Sequence, residues 1–111
     1  MINTIKFFLL PLFIFVGTVT PVYASPTITE YAKCSGILIV AAAVAADKKD
    51  AYLNDANLLQ KKASKLKGYD KGVYNEISFD SSGTYVEILK RNSASITDFW
   101  PDAGYCRGLA Q

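Results

Sequence analysis

Two cysteines, Cys34 and Cys106, stand near opposite ends of the chain that remains once a leader is set aside. The leader reading rests on three parts in order: a short start with Lys6, an apolar stretch from Phe7 to Val16, and a turn-prone tail ending Val22-Tyr23-Ala24. Pro11, Gly17 and Pro21 interrupt it, and its unbroken apolar run is shorter than the roughly 20 residues of a membrane span. Cleavage is expected after Ala24, giving a leader over 1–24 and a single helical domain over 25–111 with no transmembrane anchor after processing. No cysteine follows the cut, so no lipid-modified amino terminus is expected. In the oxidising compartment this implies, two cysteines so far apart are most simply a disulfide. The second apolar stretch, Gly36 to Ala46, is short and alanine-rich, and reads as a buried helix face.

The mature chain is 87 residues long, which makes one domain with a small core. Thr27 with Glu30 forms a capping box after Pro26 and predicts a first helix running to about Lys49. Tyr31, Cys34, Leu38, Ala41 and Ala45 make its inward stripe. Ile37, Ile39, Val40 and Val44 lie between them, so the helix is expected to be buried on several sides. After the polar cluster Asp47-Lys48-Lys49-Asp50, the residues Tyr52, Ala56, Leu59, Ala63 and Leu66 form the stripe of a second helix that Gly68 stops.

The stretch from Tyr69 to Asn92 has two readings. One is a helix pair broken at Gly83, its second part opened by the box Thr84 with Glu87. The other is a hairpin of Glu76–Asp80 and Thr84–Lys90 around Ser81-Ser82-Gly83. Helix is favoured, because a lone hairpin would need a sheet partner that the chain lacks. The last segment begins with Ser95 and Asp98, a box with the shorter acid, and carries Ile96, Phe99, Trp100, Cys106 and Leu109 inward. Pro101 is expected to kink or divide it.

An even number of long antiparallel helices brings both ends of a chain to one end of a bundle. A Cys34–Cys106 bond therefore predicts an all-α fold, a small four-helix bundle with its first and last helices stapled together. The alternative is an α+β fold with one hairpin around 75–90. Tyr31-Ala32-Lys33-Cys34 opening an alanine-rich helix, and Tyr105-Cys106-Arg107-Gly108-Leu109 closing the chain, resemble a loose group of small exported bacterial proteins read as cysteine-stapled helical bundles. That resemblance implies a fold and no activity.

Charge and composition narrow the function. Lys6 leaves with the leader, so the mature net charge is +1, which argues against nucleic acid as a partner. There is no histidine, which removes the usual general base and the commonest metal ligand. The cysteines are committed to the staple, and the carboxylates show no paired placement. Asp80-Ser81-Ser82-Gly83 begins like a calcium loop, yet Arg91 stands where a bidentate glutamate belongs. The chain thus reads as no enzyme, with no catalytic residue, metal site or cofactor.

The candidate interaction surface is Lys61, Lys62, Lys65 and Lys67 of the second helix, together with Trp100. The lysines could meet anionic lipid or an acidic protein, and Trp100 could anchor a partner. The six tyrosines of the mature chain suit half-buried bundle edges or a protein-binding patch. The expectation is a periplasmic or secreted helical protein that regulates or binds another envelope protein. Its alternative is a membrane-active helical peptide whose alanine-rich hairpin enters lipid, against which the near-zero charge counts.

Overall fold

The computed structural model describes residues 26–92 and 95–111, and the leader over 1–24 lies outside them. Four helices follow one another: α1 (Ile28–Val44), α2 (Lys49–Ser64), α3 (Lys71–Arg91) and α4 (Ile96–Ala110). No strand occurs among the described residues, so the hairpin alternative is wrong. α1 is central and packs against the other three, and α2 also packs on α4.

Thr27 caps α1 as its sequence predicts, its Oγ1 accepting from the Glu30 amide at 3.1 Å. The helix stops at Val44, short of the expected Lys49. A single 3₁₀ turn, Ala46–Lys48, follows, and the chain direction changes by 119° between α1 and the segment that follows. Asp47, Lys48, Lys49 and Asp50 are all exposed. Continuing α1 through them would have kept the chain in line, whereas the turn brings Tyr52, Ala56 and Leu59 back onto the core. Two of the apolar residues expected inside, Ile39 and Val44, lie on the solvent side of α1.

α2 buries Tyr52, Ala56, Leu59 and Ala63 as its stripe requires. It ends at Ser64, so Leu66 lies outside the stripe and is exposed. Gly68, at φ 89°, supplies the left-handed turn that only glycine adopts at no steric cost. Asp70 then caps α3 by accepting from the Val73 amide.

α3 is one continuous helix, neither a pair broken at Gly83 nor a hairpin. The Thr84 hydroxyl, which would have capped a new helix, instead donates to the Asp80 carbonyl one turn back. A mid-helix glycine costs about 1 kcal/mol relative to alanine. Packing of Tyr74, Ser78, Ser81 and Tyr85 along the α1 side offsets it. α4 is likewise undivided at Pro101. Thr97, whose carbonyl loses that donor, is exposed, so water can satisfy it. The Ser95 box does not form. Ser95 is already helical, at φ −64° and ψ −13°, and its side chain makes no capping bond.

α1 and α3 approach closely where they cross at Gly36. A Cβ on Gly36 would stand 2.3 Å from the Ser78 carbonyl oxygen and 2.9 Å from Ser81 Cβ. Beside it, Ser35 Oγ shares a 2.5 Å hydrogen bond with the Tyr74 hydroxyl and lies 3.3 Å from the Ala56 carbonyl oxygen. The Tyr74 hydroxyl also lies 3.3 Å from the Tyr31 carbonyl oxygen, so the two hydroxyl protons serve either carbonyl together with the bond between them. One polar node therefore joins α1, α2 and α3, with its buried hydroxyls satisfied.

Cys34 and Cys106 are bonded, their Cα atoms 5.2 Å apart across a sequence separation of 72. The staple joins α1 near its start to α4 near its end. A disulfide is consistent with an oxidising extracellular compartment. Nearby, Arg107 Nε pairs with the buried Asp55 carboxylate at 2.7 Å, and its guanidinium lies 5.1 Å from the Tyr52 ring centroid.

Two outcomes follow. Reducing the disulfide, or replacing Cys106→Ser, restores the freedom of a long loop and is expected to remove about 4 kcal/mol, or about 15–30 °C of melting temperature by circular dichroism. Gly36→Ala, despite alanine's better helix propensity, is expected to lose about 1–3 kcal/mol in urea unfolding because neither backbone can retreat. Gly104→Ala, where an added Cβ meets open space, serves as the control and should be neutral or stabilising.

Candidate functional site

A cleft of about 360 Å³ opens beside the staple, where the first turns of α1, the last turns of α4 and Tyr85 of α3 meet. Its lining includes three buried residues, Cys34, Ile37 and Cys106, which give it an apolar base. Glu30, Lys33, Asp102 and Tyr105 bring polar groups to it. A second hollow of about 420 Å³ between α1 and α3 shares Lys33 and Tyr85 and adds Ile77, Asp80, Ser81 and Thr84. The two adjoin to form a groove.

Local folding accounts for each group. Glu30 and Lys33 follow the Thr27 cap at one helical spacing, on the turn that also carries Cys34. Asp102 and Tyr105 occupy the corresponding turn before Cys106. Tyr85 arrives from α3 because the Gly36 crossing lets that helix lie against α1, and Ser81 fixes the contact by donating to the Lys33 carbonyl at 3.0 Å.

Two phenol–carboxylate hydrogen bonds stitch the three helices together. Tyr105 donates to Glu30 Oε2, and Tyr85 donates to Asp102 Oδ2 at 2.9 Å. The bond to Glu30 holds the Tyr105 phenol protonated and pushes its pKa up. Tyr85 is pushed up first by burial and then by its bond to Asp102. Among the described residues the Lys33 ammonium has no ionic partner, the one ion pair being Arg107–Asp55. The groove thus offers carboxylate oxygens, a free ammonium and aromatic edges around an apolar base. Phenols held protonated donate hydrogen bonds and make poor nucleophiles near neutral pH. No group of three His, Cys, Asp or Glu is placed to hold a metal ion among the described residues.

The five residues predicted as an interaction surface do not form one patch. Lys61 is exposed on α2. Lys62 donates to the Leu109 and Gln111 carbonyls at 2.9 and 2.7 Å, closing the end of α4. Lys65 and Lys67 lie beyond the end of α2 and are exposed. Trp100 is half-buried at the other end of α2, its ring centroid 6.2 Å from that of Tyr52 and 5.0 Å from that of Phe99. Glu30, Lys33, Tyr85, Asp102 and Tyr105 were not singled out as a cleft from the sequence. Pairing Cys34 with Cys106 puts Glu30 and Tyr105 on adjoining turns, so part of the cleft could have been found from the staple. Tyr85 carries no such signal.

Comparison with protein-family patterns, characterised proteins and solved structures returns no match.

The tyrosines make a pH prediction. Tyr74, raised chiefly by burial, joins Tyr85 and Tyr105 as phenols that hold their protons more firmly when folded. Folded pKa values above the unfolded value of 10 mean that this stabilisation is complete below pH 10 and is lost as pH rises through the folded values. Unfolding temperature should accordingly hold level from neutral pH to about 10 and then fall. Tyr74→Phe should make that fall shallower, with phenol ionisation followed by ultraviolet absorbance on the same samples. An unchanged slope in Tyr74→Phe would contradict it.

Proposed function

We propose that the protein is exported to the periplasm or beyond and works there as a binding or regulatory module, with no catalytic residue of its own. Another envelope protein docks in the groove beside the staple. The observation that carries this reading is the groove itself: an apolar base, two oriented carboxylates and a lysine without an ionic partner, arranged on three helices that a disulfide and two cross-helix hydrogen bonds hold in place. A surface ordered in this way loses little side-chain freedom on binding, which favours recognition. Protein partners suit its mixed character, since interface centres combine apolar area and tyrosine with a few directed polar groups.

A membrane-active role is the second reading. No single helix among the described residues is long and apolar enough to cross a membrane, although α1 and the segment after it pass that test as a bent pair. Nine α1 residues, from Ala32 to Ala42, are buried by protein, so lipid insertion would require dismantling the core.

The test is a photo-crosslinking residue placed at Thr29 in the cleft, and at Lys49 or Asn54 on exposed positions of α2, in producing cells. Discrete protein adducts are expected from Thr29 only, and Lys33→Glu should diminish them. Adducts to lipid, or equal adducts from all three positions, would overturn the reading. Flotation of the purified protein with anionic vesicles distinguishes the membrane-active alternative, for which the protein would rise with the vesicles.

A further inference from the structure

α3 has a second face that none of the described residues covers. Its packed side presents Tyr74, Ser78, Ser81, Tyr85 and Leu89 to α1 and the core. On the opposite side Glu76, Phe79, Gly83, Val86 and Lys90 recur at spacings of three, four, three and four, which is the spacing of a helix–helix seam. All five are exposed, and Phe79 is 78% exposed, the most of any large apolar residue among those described. Gly83 lies at the centre, with nothing within 4 Å of the place where a Cβ would stand. A hollow beside it is bounded by Phe79, Thr84, Glu87 and Arg91.

From this arrangement we infer that α3 is the interface of a two-fold homodimer, packed antiparallel against α3 of a second copy with the axis at Gly83. The occupant is specified by self-complementarity. Turned about Gly83, the seam matches itself: Phe79 of one copy meets Val86 and the Gly83 hollow of the other, and Glu76 comes level with Lys90 of the other. Neither Glu76 nor Lys90 has an ionic partner among the described residues. Antiparallel pairing therefore brings opposite charges together at both ends of the seam, whereas a parallel, in-register pairing would set Glu76 against Glu76 and Lys90 against Lys90. Glycine at the axis allows the backbones to approach closely, and two exposed phenylalanines leave water at once. Such an interface is closed, the same patch serving on both copies. It uses the side of α3 away from α1, so the cleft of Glu30, Lys33, Asp102 and Tyr105 beside each staple stays open, while Asp80 and Thr84 border both the seam and the outer part of the groove.

Sedimentation equilibrium of the mature, oxidised chain at submillimolar concentration should give twice the chain mass. Phe79→Asp should raise the dissociation constant at least about tenfold, as loss of a central aromatic does. Lys90→Glu alone should also weaken association, and Glu76→Lys with Lys90→Glu together should restore most of it. All substituted positions are exposed, and circular dichroism checks that each variant is folded. Under mild oxidation Gly83→Cys should link two copies, while Gly72→Cys, far from the axis, should not. A wild-type mass of one chain would overturn the inference, whether or not the protein floats with vesicles. So would a dimer indifferent to Phe79→Asp, failure of the charge swap to restore association, or linking at position 72 as efficient as at 83.

Discussion

The crossing at Gly36 sets where everything on one side of the molecule lies. α3 can lie directly against α1 only because Gly36 has no side chain where the Ser78 carbonyl sits and because Ser78 and Ser81 are small. From that contact follow the Ser81 bond to the Lys33 carbonyl and the reach of Tyr74 to Ser35. Tyr85 then falls where it can donate to Asp102 and stack edge-on against Phe99, 5.7 Å between centroids. The wall of the groove is thus a consequence of a helix contact two turns away. On the other side of α1 the disulfide performs the equivalent task for α4, so the groove lies between one contact made by absence of a side chain and one made by a covalent bond.

Buried polar groups then fix register where apolar packing alone would not. Alanine-rich α1 offers a smooth surface against which a neighbour could slide by a turn at little cost. Ser35 and Tyr74 oppose that slippage, because a one-turn shift would strand two buried hydroxyls, and each stranded group costs about 1–3 kcal/mol. Asp55 acts similarly between α2 and α4. Its carboxylate is buried and accepts from Arg107 and Gln111, so moving α4 would leave a charge in the core without its partner. Lys62 adds a third tie by closing the last carbonyls of the same helix. These groups make one arrangement of four helices preferable to its neighbours, which is a matter of specificity more than of total stability.

Much of this was legible in the residues, and what was not has physical causes. The Thr27 cap, the Gly68 turn and the stripes of α1 and α2 are local signals, set by bonds and spacings within a few residues. The staple was legible because two cysteines have only one intramolecular way to pair. Misreadings arose where a local signal competed with a distant contact. Thr84 and Glu87 spell a helix start, yet the Thr84 hydroxyl is used inside a running helix whose stability comes from α1. Ser95 and Asp98 spell another, but Ser95 already has helical backbone angles. Lysines 61 to 67 look alike in sequence and differ in space, because only Lys62 is level with the end of α4. The groove was missed for the same reason: Glu30 and Tyr105 meet through the staple, but Tyr85 arrives through a helix crossing that no short motif announces.

α3 was the hardest segment to read because it has two faces with different demands. A helix buried on one side shows a clear apolar stripe and a polar remainder. Here the packed side is made of serines, tyrosines and a leucine, while phenylalanine and valine stand outside, so apolar residues appear at nearly every spacing and no single period dominates. Small residues on the packed side are what close approach to α1 requires, since a conventional Leu and Ile stripe would hold the axes apart and withdraw Tyr85 from Asp102. Large apolar residues on the outer side, Phe79 and Val86, meet no cover among the described residues. Self-association accounts for them, and it also accounts for a glycine at the middle of a helix, where the chain accepts a loss of helix propensity although no contact among the described residues needs the space.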